Sequence, residues 1–193
     1  MTQFVRGYLA AQRFDTAETA LGAGVSTARL GDWIKRGAWS PLTEGRPGTG
    51  RSREFIIADV YRLALVAALT DPNSIFEMPV TKAVALVDDA FGLRAEKGGN
   101  TDFFRDALRD GTLPESLIDR SRAWWLVGGI FHRAEPREAI LRGQFTCEPA
   151  SPHALPNPLN KPRAMIALEV PPILAEADKQ LLELRGLGDL ATE

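Results

Sequence analysis

Between Asp15 and Gly37 the chain carries helix-start signals at Asp15 and Ser26, with glycines at 22, 24 and 37 where helices would have to stop. That spacing leaves room for two short helices and a tight turn. Asp15 is a capping residue, and Glu18, three positions on, is placed to reach back to it in a capping box. Ala17, Ala20 and Leu21 then share a face before Gly22 and Gly24 break the helix. Ser26 opens the next one, with Val25 and Leu30 at the two positions of a hydrophobic staple and Gly37 as its end. In this second helix Leu30, Trp33 and Ile34 fall on one face, while Ala28, Arg29, Asp32, Lys35 and Arg36 project from the others.

The next segments add a strand–loop–strand pattern and a third helix. Ala38 to Leu42 and Arg53 to Ile56 read as two short strands around a loop rich in glycine and proline. From about Ile57, Val60, Leu63, Ala64 and Ala67 form an apolar stripe able to close a small core against the first two helices, and Asp71-Pro72-Asn73-Ser74 ends it. Net charge is only −2, but from Arg29 to Arg53 basic residues outnumber acids to give +4, so the remainder carries −6. A nucleic-acid footprint needs such a concentration of charge rather than a high total. Two short helices with a polar, basic outer face on the second form a unit that fits the DNA major groove. Ser26, Thr27, Ala28, Arg29 and Asp32 lie near the N-terminal end of that helix. Arg29 is the leading candidate for reading bases, whereas Lys35, Arg36, Arg46, Arg51 and Arg53 suit phosphates.

The run Gly24-Val25-Ser26-Thr27-Ala28-Arg29-Leu30-Gly31-Asp32-Trp33-Ile34-Lys35-Arg36-Gly37, then Pro41, then Arg53-Glu54-Phe55-Ile56-Ile57-Ala58-Asp59-Val60-Tyr61-Arg62-Leu63, resembles the winged helix-turn-helix of the MerR family of transcription regulators. The resemblance covers about Asp15 to Leu69 and rests on the combination of Trp33, Gly37, Arg53, Asp59 and Leu63. It implies that Ser26 to Arg36 is a recognition helix, that an arginine-bearing wing touches the DNA backbone, and that the chain works as a homodimer on double-stranded DNA; contact with RNA polymerase stays open. Phe55 stands where the family usually has a tyrosine, removing a hydroxyl that would otherwise meet a phosphate. Family members commonly continue into a long dimerisation helix, which Pro72 and Pro79 interrupt here. Dimerisation would fall to the C-terminal part, and the family's metal or drug sensing is not implied.

After Pro72 the pattern changes. Val80, Ala83, Val84 and Val87 predict a helix stopped by Gly92, and Phe103, Phe104, Ala107 and Leu108 another stopped by Gly111. Ala123 to Phe131 reads as a buried strand, within which Trp124 and Trp125 either pack in the core or a dimer contact, or line a pocket. Glu148 to Pro162, with five prolines, should be irregular, and Arg163 to Val170 a strand. A last helix after Pro171-Pro172 places Leu174, Ala177, Leu181 and Leu184 in a seam that either meets a partner helix or covers the sheet. The expected organisation is α+β: an N-terminal extension over 1–14, a winged helix-turn-helix over 15–71, and a small mixed helix and strand domain over 72–193 that ends in a helix and mediates oligomerisation or partner binding.

The remaining composition narrows the function classes. Cys147 is the sole cysteine, so neither an intramolecular disulfide nor a thiolate-rich zinc site can form. His132, His153 and Cys147 sit in no ligand spacing or nucleophile motif, and Asp88-Asp89 reads as the solvated side of its helix, so no catalytic residue, metal or cofactor is expected. No stretch reaches the roughly 18 apolar residues of a membrane span, and Tyr8 to Ala11 is too short a run for a signal peptide. A cytoplasmic DNA-binding regulator is the first expectation. The second is an accessory protein of DNA processing, such as an excisionase or the DNA-recognition subunit of a phage packaging machine, and the third an enzyme or small-molecule sensor whose chemistry resides in the C-terminal domain.

Overall fold

The computed structural model describes residues 3–42, 53–91, 93, 125–132, 139–146 and 164–191. They form an α+β fold. Helices α1 (Gln3–Ala11), α2 (Thr16–Gly22), α3 (Thr27–Lys35), α4 (Ile57–Thr70) and α5 (Val80–Ala90) precede strands β1 (Trp125–His132), β2 (Ala139–Thr146) and β3 (Ala164–Glu169). Helix α6 (Val170–Leu184) and a short 3-10 turn (Gly188–Ala191) follow.

Local chemistry sets the ends of α2 and α3. The Asp15 carboxylate accepts from the amides of Ala17 and Glu18 at 2.7 and 2.8 Å, and Glu18 accepts from the Asp15 amide at 2.9 Å, so the capping box is complete. At the other end, Val25 N–H donates to the Ala20 carbonyl and Gly24 N–H to that of Leu21, a Schellman closure that requires positive φ at Gly24 (+67°). Ser26 Oγ caps α3 through the Arg29 amide at 3.2 Å, and Gly37, also at φ +67°, closes it in the same way.

Helix α4 is buried almost all round, more than a one-sided stripe would require, because α2, α5 and α6 pack against it. A continuous apolar core runs from Leu9 of α1 through Leu30, Phe55 and Leu63 to Leu86, Leu126 and Leu182. Residues 3–11, expected to be an extension, therefore form a helix that buries Leu9. The α6 seam is filled by the chain itself: Leu174, Ala177 and Leu181 are buried against α2 and α4, neither on a partner helix nor on the sheet, while Leu184 is exposed. Helix α6 starts at Val170 and carries both prolines in its first turn, where their missing N–H groups have no intrahelical role. Tyr61 donates to the buried Asp178 carboxylate, and Arg185 pairs with Glu18 at 2.8 Å, adding polar ties between α6 and the N-terminal helices.

The sheet is antiparallel with β1 in the centre between β2 and β3. Strand β2 has no counterpart in the sequence reading. Helix α5 lies on the sheet, mainly against β2, and at Gly128 of β1 an added Cβ would collide with Leu86 Cδ1. The helix expected near Phe103, the irregular stretch 148–162, Cys147, His153 and the side chains of Trp124, Trp125 and His132 lie outside the described residues. No helix among the described residues is long and apolar enough to cross a membrane.

Candidate nucleic-acid interface

Helix α3 turns Leu30 and Trp33 into the core and leaves Ser26, Thr27, Ala28, Gly31, Lys35 and Arg36 exposed. The exposed N-terminal face is thus made of small side chains, beside which another molecule's surface can come close to the helix backbone. Asp32 is half-buried and pairs with Arg36 at 2.8 Å one turn on, so these two charges partly cancel. Lys35 keeps an exposed positive charge on the same helix.

Arg29 behaves differently from its neighbours. Its Nη2 donates to the carbonyl and hydroxyl oxygens of Thr70 at 3.1 and 3.2 Å, and its guanidinium carbon lies 4.7 Å from the Trp33 ring centroid. The side chain is half-buried and directed to the C-terminal end of α4, where free carbonyls and the helix dipole favour a cation. In this conformation Arg29 ties α3 to α4 instead of pointing away from the protein.

The segment beyond α3 owes its shape to a buried ion pair. Asp59 is fully buried and accepts from the amides of Leu42 at 2.7 Å and Ile56 at 3.2 Å, gathering the two sides of residues 43–55 onto one carboxylate. Arg62 lies 3.5 Å from Asp59, donates to the Ser40 carbonyl at 3.2 Å, and binds Asp88 of α5 through Nε at 3.1 Å and Nη2 at 2.6 Å. Asp88 is consequently an ion-pair partner, not the solvated side of its helix. Burial raises the Asp59 pKa above the ordinary aspartate value, opposed by the Leu42 amide, the Arg62 charge and the Ile56 amide.

The same network explains why Ala38 to Leu42 forms no strand. The Ser40 carbonyl and Leu42 amide, which a ladder would use, are taken by the Arg62 and Asp59 side chains, and Pro41 has no N–H to offer. Phe55 does pair, but with Phe14, through reciprocal backbone bonds of 2.8 and 3.0 Å. Its ring is fully buried 6.1 Å from that of Trp39, so this position faces the core and not a phosphate.

Of the basic residues expected at a wing, Arg53 is half-buried, while Arg46 and Arg51 lie outside the described residues. Among the described residues, no group of three or more histidine, cysteine, aspartate or glutamate side chains is arranged to hold a metal ion. The links missed from sequence are Thr70 under Arg29, the Asp59–Arg62–Asp88 chain and the Tyr61–Asp178 pair; only the adjacency of Asp59 and Arg62 on one helix face was a local signal. No protein-family model matches the chain, and no curated protein matches it.

Proposed function

We propose that the chain is a sequence-specific double-stranded DNA-binding regulator of transcription, built on a MerR-like winged helix-turn-helix and acting as a homodimer. The observation that carries this reading is the outward face of α3: Thr27, Ala28 and Gly31 are exposed near its N-terminus while Leu30 and Trp33 anchor its opposite side. In a major groove, the Thr27 hydroxyl would meet base edges and the Thr27 and Ala28 methyl groups would meet thymine methyls. Ser26, Lys35, Arg36 and the loop arginines Arg46, Arg51 and Arg53 would hold phosphates. Arg29 acts as a positioning residue that sets the angle of α3 through Thr70, and Asp32 restrains Arg36. Two copies would present their α3 helices to half-sites about 34–36 Å apart.

Selecting bound sites from random duplex DNA with the full chain tests the reading. A palindromic site with one-turn spacing is the expected result, and failure to enrich any sequence overturns it. One observation favours the DNA-processing alternative: Leu174, Ala177 and Leu181 of the α6 seam are buried within the chain and so are not free to meet a partner helix. Enrichment of direct repeats by a monomeric protein would establish that alternative in place of the regulator.

A further inference from the structure

A cavity of about 640 Å³ opens between the α2–α3 turn, the C-terminal half of α4 and the first turns of α6. Its size is that of a small-molecule site, typically about 300–1,000 Å³. Ala64, Ala67, Ala68 and Ala177 supply a floor of small apolar side chains. Arg29 and Asp71 also line it, and Thr70, which holds the Arg29 guanidinium, is the immediate neighbour of Asp71. Arg29 and Asp71 are therefore brought together on the α3–α4 side of the cavity, while Glu176, whose carboxylate accepts from Gln180 at 2.7 Å, lines the α6 side.

Among the described residues these charges form no ion pair with each other or with another side chain. Arg29 spends Nη2 on Thr70 and has Trp33 beside it, which fixes the guanidinium before any ligand arrives; among the described residues Nε and Nη1 donate to no partner. Asp71 engages one carboxylate oxygen with the backbone and side-chain nitrogens of Asn73, and among the described residues its other oxygen accepts from none. A guanidinium selects a carboxylate, and a carboxylate selects an ammonium.

We propose that this cavity binds a small zwitterion of the α-amino-acid class with an apolar side chain. Its carboxylate pairs with Arg29, its ammonium with Asp71, and its side chain lies on the alanine floor. The site joins α3 to α6, so occupancy would stiffen the contact between the N-terminal helices and the C-terminal part. Binding itself is independent of the DNA-binding reading.

The test uses the full chain, without DNA, in equilibrium dialysis and thermal melting against a panel of apolar L-amino acids. The best binder is then compared with its analogues lacking only the amino group or only the carboxylate. Saturable binding by at least one amino acid is expected, with each single-charge analogue at least about tenfold weaker, since losing one charged partner costs about 1.4 kcal/mol or more. Arg29→Gln and Asp71→Asn should each weaken binding about tenfold while retaining native helicity. Ala68→Met, which leaves both charges in place and narrows the floor, should also weaken binding, and it decides the matter if Arg29→Gln does not fold. No saturable binding by any panel member, equal binding of a single-charge analogue, or undiminished binding by Ala68→Met and Asp71→Asn would overturn the proposal.

Discussion

At Arg29 and Asp59, side chains that look alike in a sequence pattern take on different tasks once their partners are in place. Arg29 and Lys35 are both cations on α3, yet only Lys35 is exposed, whereas Arg29 is spent on Thr70. Arg29→Ala should thus lower stability by about 1 kcal/mol, the usual worth of a partly exposed hydrogen-bonded side chain, in urea unfolding. Lys35→Ala should leave stability unchanged and, on the proposed DNA-binding reading, weaken binding to all sequences alike, reducing the salt dependence by about one unit of slope. Asp59 adds a pH signature. Its folded pKa lies above the unfolded value of 3.8, so the native state takes up the proton first as pH falls. By linkage, Asp59 disfavours folding above its folded pKa, and that penalty fades as pH falls towards 3.8. Urea unfolding across that range should therefore show the stability of wild type rising relative to Asp59→Asn as pH falls; a constant difference would refute the assignment. The phosphate role proposed for Lys35 was legible from its place on the helix, but the ties of Arg29 and Arg62 were not, because Thr70 and Asp88 are 41 and 26 positions away from the arginines they meet.

Elements were legible where their signals are local. The caps at Asp15 and Ser26 and the closure at Gly37 occupy the positions that the sequence dictates, since each depends on groups within about one turn. Strand β2 was not legible: Ile140, Leu141 and Phe145 do not alternate, and Arg142, Gly143 and Gln144 interrupt the apolar run, so only pairing with β1 reveals it. The strand expected at Ala38 to Leu42 failed for the opposite reason, as side chains took its backbone partners. Where β1 meets α5, the limiting contact is steric. Gly128→Ala forces Leu86 out of its position and should cost about 1–3 kcal/mol in chemical denaturation, as overpacking does. Ser26→Ala, losing the cap of α3, should cost about 1 kcal/mol.

On the scale of the whole molecule, the C-terminal helix is part of what makes the N-terminal helices stable. Leu174, Leu181 and Leu182 are buried against α2 and α4, and Gly22 of α2 lies so near α6 that a Cβ would come within 2.9 Å of Leu181 Cδ2. Sequence boundaries suggest a unit that ends near Asp71, but removing everything beyond it would strip this apolar cover and leave the Tyr61 hydroxyl without Asp178. A fragment of residues 1–71 should therefore show little native helicity by circular dichroism or associate through its exposed core. In the full chain, Leu181→Ala should cost about 2–5 kcal/mol, the range for a large-to-small change in a packed core. If the two parts share one cooperative core, tryptophan fluorescence and far-ultraviolet circular dichroism should report the same shifted midpoint in that variant. Separate midpoints, or a fragment 1–71 that folds to native helicity as a monomer, would show that the N-terminal helices stand alone and that α6 merely leans on them.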